Sequence, residues 1–142
     1  MELDNVNCMR HGYKPITIKS ISFDFIEYSN HADKLTASLK IRFSSDKCMM
    51  AFKTANCVGV CGHLVWSEAF EYRPRSGDRV DFELVRRSKM AMILGDRVIA
   101  RHTVTMDSLM KAGVGVHRID MMDDKSMGKP CGKLVLEIQW KV

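Results

Sequence analysis

Apolar and polar residues alternate with a period of two over most of this chain, which is the pattern of strands that bury one face. It is clearest near the end, where Leu134, Leu136, Ile138, Trp140 and Val142 alternate with Lys133, Glu137, Gln139 and Lys141. In the middle, Leu64 to Val85 holds two such segments. Trp66, Phe70 and Tyr72 share a face of the first, and Val80, Phe82 and Leu84 share a face of the second. Pro74 and Gly77 between them supply turn geometry, so the stretch is expected to form a hairpin. Glu68 has the parity of Trp66 and Phe70, and an unpaired carboxylate facing a core is costly, so a structural hydrogen bond is expected there.

Toward the N-terminus, Ile16 and Ile18 have one parity while Ile21, Phe23 and Phe25 have the other. A bulge or break near Ser20 reconciles them. Residues 1–15 lack a period and are expected to form a flexible arm, leaving 16–142 as the folded domain. Leu39, Ile41 and Phe43 alternate with Ser38, Lys40 and Arg42, a strand with a basic outer face. Cys48 to Thr54 reads as the next strand with Met50 and Phe52 inward, and the glycine-containing Asn56 to Gly62 reads as a loop. Val98, Ala100, His102 and Val104 mark another strand, in which His102 is a strand histidine rather than a ligand. Thr105 to Gly113 is a short helix capped by Thr105 or Asp107 and closed by Gly113. Val116 to Met121 is a weaker strand, and Asp123 to Pro130 an exposed loop. About eight short strands at roughly ten-residue spacing predict an all-β antiparallel sandwich with one short helix in a connection.

Composition changes this picture little. A chain of 142 residues suits one domain, and 46% hydrophobic residues supply a core for it. No apolar run is long enough to span a bilayer, and Met-Glu-Leu-Asp-Asn at the start lacks a secretory pattern, so a cytoplasmic protein is expected. Five cysteines, Cys8, Cys48, Cys57, Cys61 and Cys131, are odd in number and irregular in spacing, which suits reduced thiols better than disulfides. Cys57, Cys61 and His63 come nearest to a zinc motif, but a fourth ligand at suitable spacing is missing. The net charge of +5 points to an acidic partner only if the cations gather in space.

Several segments in order resemble the C2 domain family: Phe52-Lys53-Thr54, Val65-Trp66-Ser67-Glu68-Ala69-Phe70, Val80-Asp81-Phe82-Glu83-Leu84, Ile93-Leu94-Gly95, and Gly132 to Ile138 with its Gly-x-Leu-x-Leu-x-Ile. The resemblance implies an eight-stranded C2-like β-sandwich whose loops at one end contact membranes, calcium or protein partners, with Trp66 to Leu84 as the fourth and fifth strands. It also implies where calcium ligands belong, and this chain departs from that pattern. The first such loop offers Asp33 alone, and the loop after Leu84 reads Val85-Arg86-Arg87-Ser88-Lys89, whose cations repel a hard dication. Asp96 lies beyond Gly95 and does not replace the missing pair. Neither a calcium site nor any other cofactor is expected.

The sharpest candidate is therefore Arg86, Arg87 and Lys89 beside Met90 and Met92, cations next to flexible apolar side chains at a loop tip, suited to anionic headgroups with shallow insertion; the other reading is that Met90 to Leu94 begins a strand and the charges keep its edge soluble. Lys40 and Arg42, with Lys53 on the next strand, are a second candidate, since the resemblance implies phosphoinositide contacts on a basic sheet face, but alternating charge on a strand is also what any solvated face shows. Arg73, Arg75 and Arg79 extend a patch only if the fold brings them together. Phosphate loops, serine elbows, metal-binding helices and paired carboxylates are absent from the sequence, so no enzyme is expected. Nucleic acid is not the expected partner either, because exposed aromatics are not interleaved with the basic residues. The reading is a non-catalytic, calcium-independent module for anionic phospholipids or an acidic protein surface. The alternative is a protein-interaction domain in a cytoskeletal, ciliary or vesicle-tethering assembly.

Overall fold

The computed structural model describes residues 13–26, 35–46, 48–87, 95–125 and 128–141. Among the described residues ten strands and one helix follow in order: β1 (Ile16–Phe25), β2 (Leu35–Ser44), β3 (Met49–Lys53), β4 (Cys57–Gly59), β5 (His63–Trp66), β6 (Phe70–Tyr72), β7 (Arg79–Arg86), β8 (Arg97–Thr105), α1 (Met106–Lys111), β9 (Gly115–Asp123) and β10 (Pro130–Trp140). All described pairings are antiparallel. One layer runs β3-β2-β7-β8, and the other runs β9-β10-β1 with β5 and β6 both on β1. The layers join where β8 meets β9, paired only at Ala100↔Asp123 and Arg101↔Met122. On the other side β4 adds to β2, β5 adds to β1, and the tight Val60↔His63 bridge connects them.

The break expected near Ser20 is present. Ser20 takes φ 54°, and the register with β10 shifts between Lys19 and Ser22, so Ile16 and Ile18 before it and Ile21 and Phe23 after it are all buried. Without that reversal half of these side chains would meet water, at about 1.5–3 kcal/mol for each large one. Leu134, Leu136 and Ile138 on β10, Leu39, Ile41 and Phe43 on β2, and Val80, Phe82 and Leu84 on β7 complete the core. The helix also forms as its sequence indicates: the Thr105 hydroxyl accepts from the Ser108 N–H at 3.1 Å, and Gly113, at φ +90°, donates to Met110 O at 3.0 Å.

Three expectations change. The Trp66 to Leu84 stretch is not a hairpin, because β6 pairs with β1 and β7 pairs with β2 and β8, so the chain crosses between layers there. The crossing is fixed by Asp78, a buried carboxylate that accepts from the Tyr72 hydroxyl at 2.8 Å and the Arg75 N–H at 3.0 Å. Both halves still face one core from opposite sides: Tyr72 stacks on Phe43 of β2 at 3.9 Å, and Trp66 Nε1 donates to Ala37 O at 3.2 Å. Second, Asn56 to Gly62 is not all loop but contains β4, whose strand pairing with β2 outweighs its glycine. Third, Met50 is not buried in the core: at the start of edge strand β3 it is 45% exposed, while Phe52 packs on Phe70.

Candidate functional site

β7 carries the chain from the Asp78 turn to one end of the sandwich, where Arg86 and Arg87 emerge exposed. Arg86 stands in register with Ala37 on one side and Arg97 on the other, and the Arg87 N–H donates to Thr36 O at 2.8 Å. Thr36 in turn pairs across its other edge with Val58. Arg87 thus lies two strand spacings from exposed Val58; exposed Val60 (60%) follows in the turn to β5, and exposed Ile26 (61%) follows β1 in the facing layer, where the Phe25 N–H donates to Gly62 O and the Ile26 N–H to Cys131 O, each at 3.0 Å. Arg86 and Arg97 also line a cleft of ≈ 190 Å³ with Asp123, Asp124 and Lys125. Lys89, Met90 and Met92, the remainder of the loop-tip candidate, lie outside the described residues, as do Asp33 and Ile93 and Leu94 of the family resemblance.

The second patch is brought together by register. Lys40 pairs with Lys53 across β2 and β3 and with Glu83 across β2 and β7, and Arg42 is two residues further on the same face. Acids interleave with these cations. Glu83 meets Arg42 at 3.4 Å and Arg101 at 3.9 Å, Arg101 also meets Asp124 at 2.9 Å, and Lys53 lies 4.0 Å from Asp96. Lys40 has no ion pair among the described residues. The face is a mixed-charge lattice more than a cationic surface.

Arg79 bonds Asp81 at 3.4 Å at the foot of β7. Arg73 and Arg75 sit in the turn before it, so neither joins the patch around Lys40 or the arginines at the far end of that strand. Glu68 makes a structural hydrogen bond, accepting from the Ala55 N–H. No three His, Cys, Asp or Glu side chains converge as metal donors among the described residues. Within the cysteine motif, Cys57 is half-buried, Cys61 is exposed, and the His63 ring bonds Asp24 of β1. His102 is half-buried, and burial pulls its pKa below 6.5, opposed by Asp120.

Arg97 and the exposed valines escaped sequence reading. Arg97 precedes Val98, where the alternation starts, and only the β7–β8 register reveals it as the neighbour of Arg86. Val58 and Val60 fall in a short glycine-containing segment whose pattern is too brief to read.

Among described residues no helix is long and apolar enough to cross a membrane. No family model and no curated protein matches the sequence. Solved structures do match. The first of the lettered C2 domains, domain A, of plant extended synaptotagmin 1 is 15% identical, with 91% of this chain and 95% of that one covered at TM-score 0.67. A chain from work on CC2D1B, described as coordinating ESRCT-III activity during the mitotic reformation of the nuclear envelope, is 16% identical over 89% of this chain and 54% of its own, at TM-score 0.66. The paired C2 domains, A and B, of extended synaptotagmin 2, calcium bound, are 14% identical over 91% of this chain and 46% of theirs, at TM-score 0.66. At such identities the likeness is one of fold. By its fold, this chain is C2-like.

Proposed function

We propose that this domain is a non-catalytic, calcium-independent module that docks peripherally on anionic membrane lipid in the cytoplasm, using the end of the sandwich at which β7 finishes. The observation that carries the reading is the side-by-side register of Arg86 and Arg97, with Arg87 next to them and Ile26, Val58 and Val60 exposed in the neighbouring segments. Cations at the headgroup level supply attraction, and the exposed apolar residues supply shallow burial. Lys89, Met90 and Met92 belong to the same loop by sequence and extend both features. Each basic residue near an anionic surface contributes about 1 kcal/mol, so binding is weak and reversible and needs a second anchor or an oligomer for residence. Lys40, Arg42 and Lys53 contribute less, because Glu83 and Asp96 offset two of the three.

Calcium independence is supported by charge. Arg86 and Arg87 open the loop where acids would be needed, and the Asp96 carboxylate is drawn to Lys53. Sedimentation with phosphatidylserine vesicles is expected to be equal in chelator and in calcium. Saturable micromolar calcium binding by calorimetry would contradict this part of the proposal.

A second reading, a protein-interaction domain in a cytoskeletal, ciliary or vesicle-tethering assembly, draws on a different observation. Among the described residues β9 pairs with β8 only at Ala100↔Asp123 and Arg101↔Met122, and Val114 and Val116 are exposed at its start. Salt separates the two, since electrostatic lipid binding fades as ionic strength rises and an apolar or backbone-paired interface persists.

A further inference from the structure

The opposite end of the sandwich holds a second group of exposed cations and apolar side chains. Arg73 and Arg75 flank Pro74, which is buried and whose carbonyl accepts the Tyr13 N–H at 3.0 Å. The fixed proline sends both neighbours outward, and both line a groove of ≈ 290 Å³ between the turn and the start of β3. Met50 lines the same groove, and Met49 beside it is 67% exposed, the highest value among the large hydrophobic residues described. A flexible, unbranched methionine lining a cationic groove, with a second exposed one on the other face of the same strand end, suits a disordered apolar phase better than a fixed apolar partner.

Neither guanidinium forms an ion pair among the described residues. The two acids in the groove lining are otherwise engaged: Glu71 binds Lys141 at 2.8 Å, and buried Asp78 is bonded by the Tyr72 hydroxyl and the Arg75 backbone. This is the reverse of the Lys40 face, where the structure supplies acids to Arg42 and Lys53. The charge left unbalanced here is complementary to an anionic surface, and the methionines need somewhere apolar to go.

We infer that this turn end is itself a docking surface for an anionic lipid membrane, with Arg73 and Arg75 on headgroup phosphates and Met49 and Met50 entering the interface. The site stands independently of the loop-end reading. Only its consequence rests on that reading: the two surfaces lie at opposite ends of the eight-residue β7, so one domain can face two membranes.

The test is sedimentation with phosphatidylcholine vesicles, with and without phosphatidylserine. It compares Arg86→Glu/Arg87→Glu, which disables the loop end, with the same variant carrying Arg73→Glu/Arg75→Glu as well. The first is expected to bind the phosphatidylserine vesicles more weakly than wild type but still measurably, and the second to lose at least about ten-fold of that residual binding, as reversal of two cations implies. Arg73→Lys/Arg75→Lys should keep most binding. Equal pelleting of the two glutamate variants overturns the site. Failure of the loop-end reading looks different, as equal pelleting of wild type and Arg86→Glu/Arg87→Glu. If charge reversal lowers the melting midpoint, Met49→Ser/Met50→Ser decides: reduced pelleting supports the site and unchanged pelleting overturns it. Retention of a polyglutamate peptide that Arg73→Glu/Arg75→Glu abolishes, with vesicle binding unaffected, assigns the groove to an acidic chain and overturns the lipid assignment.

Discussion

The Arg42 guanidinium lies 3.4 Å from the Glu83 carboxylate, and the two side chains are only 29% and 11% exposed. That contact decides how the basic-looking strand β2 behaves. Arg42 is held in the sheet by an acid from the neighbouring strand β7, and its Nε is buried without a partner of its own. Lys40, one position along the same face, has no such anchor among the described residues. Arg42→Met should therefore lower stability by about 1–2 kcal/mol, since it leaves Glu83 with Arg101 alone, whereas Lys40→Met should stay within about 0.5 kcal/mol. Urea denaturation of the two variants checks this, and equal midpoints would show that the pair is only a surface contact.

Asp107 fastens the N-terminal approach. Its carboxylate accepts from the Tyr13 hydroxyl at 2.5 Å, the Ser76 hydroxyl at 3.1 Å and the Gly77 N–H at 3.2 Å. Tyr13 is thus tied to the helix and the turn before β7, and residues 1–12 lie outside the described residues. The Tyr13 bond, helped by Ser76 and Gly77, holds the Asp107 carboxyl below its ordinary 3.8. The folded state then binds this proton less tightly than the unfolded state. The stabilisation is present above about pH 4 and is lost as pH falls through the folded value. Asp107→Asn should flatten the acid limb of a melting-midpoint profile below that pH. An unchanged acid limb would remove Asp107 from the account.

His102 gives a separate pH signature. Burial lowers its pKa below 6.5, so the neutral ring is favoured by folding, and its contribution is present above pH 6.5 and lost as pH falls below it. Its imidazole resonances should titrate below the ordinary value. His102→Phe should reduce the stability lost between about pH 7 and pH 5.5. A ring titrating at or above 6.5 would mean that the β8–β9 seam is open to water at this point.

Gly132 tests the packing of β10 against β1. A methyl group there would meet the Phe23 ring at 2.3 Å and the Asp24 carbonyl at 2.6 Å, contacts that real side chains do not make. Its φ is not positive, so the cost is steric and not conformational. Gly132→Ala should cost about 3 kcal/mol or more, measured by chemical denaturation, and a cost within about 0.5 kcal/mol would contradict the β1–β10 register.

Local signals were legible in the sequence, and long-range ones were not. The parity change at Ser20, the alternation of β10 and the Thr105 cap each depend on residues within a few positions, and each formed as read. Trp66 to Leu84 looked like a hairpin because alternation reports which face is buried and not which strand lies beside it. Only the pairing of β6 with β1 and of β7 with β2 settles that. The same limit applies to charge. Lys40, Arg42 and Lys53 are visible as basic positions, but Glu83 and Asp96, which offset them, arrive from other parts of the chain. Arg97 reaches Arg86 by the same route. The arginines after Leu84 were legible because their exposure follows from position alone, at the end of a buried strand.

The central claim is that the end of the sandwich bearing Arg86 and Arg87 binds anionic lipid. Its most direct measurement is co-sedimentation with phosphatidylcholine vesicles, with and without phosphatidylserine, for wild type and the Arg86→Glu/Arg87→Glu/Lys89→Glu variant. Wild type should pellet only with the anionic vesicles and release as salt is raised, and the variant should bind them at least about ten-fold more weakly. Equal pelleting of the two proteins, or wild-type binding indifferent to anionic lipid and to salt, would contradict it.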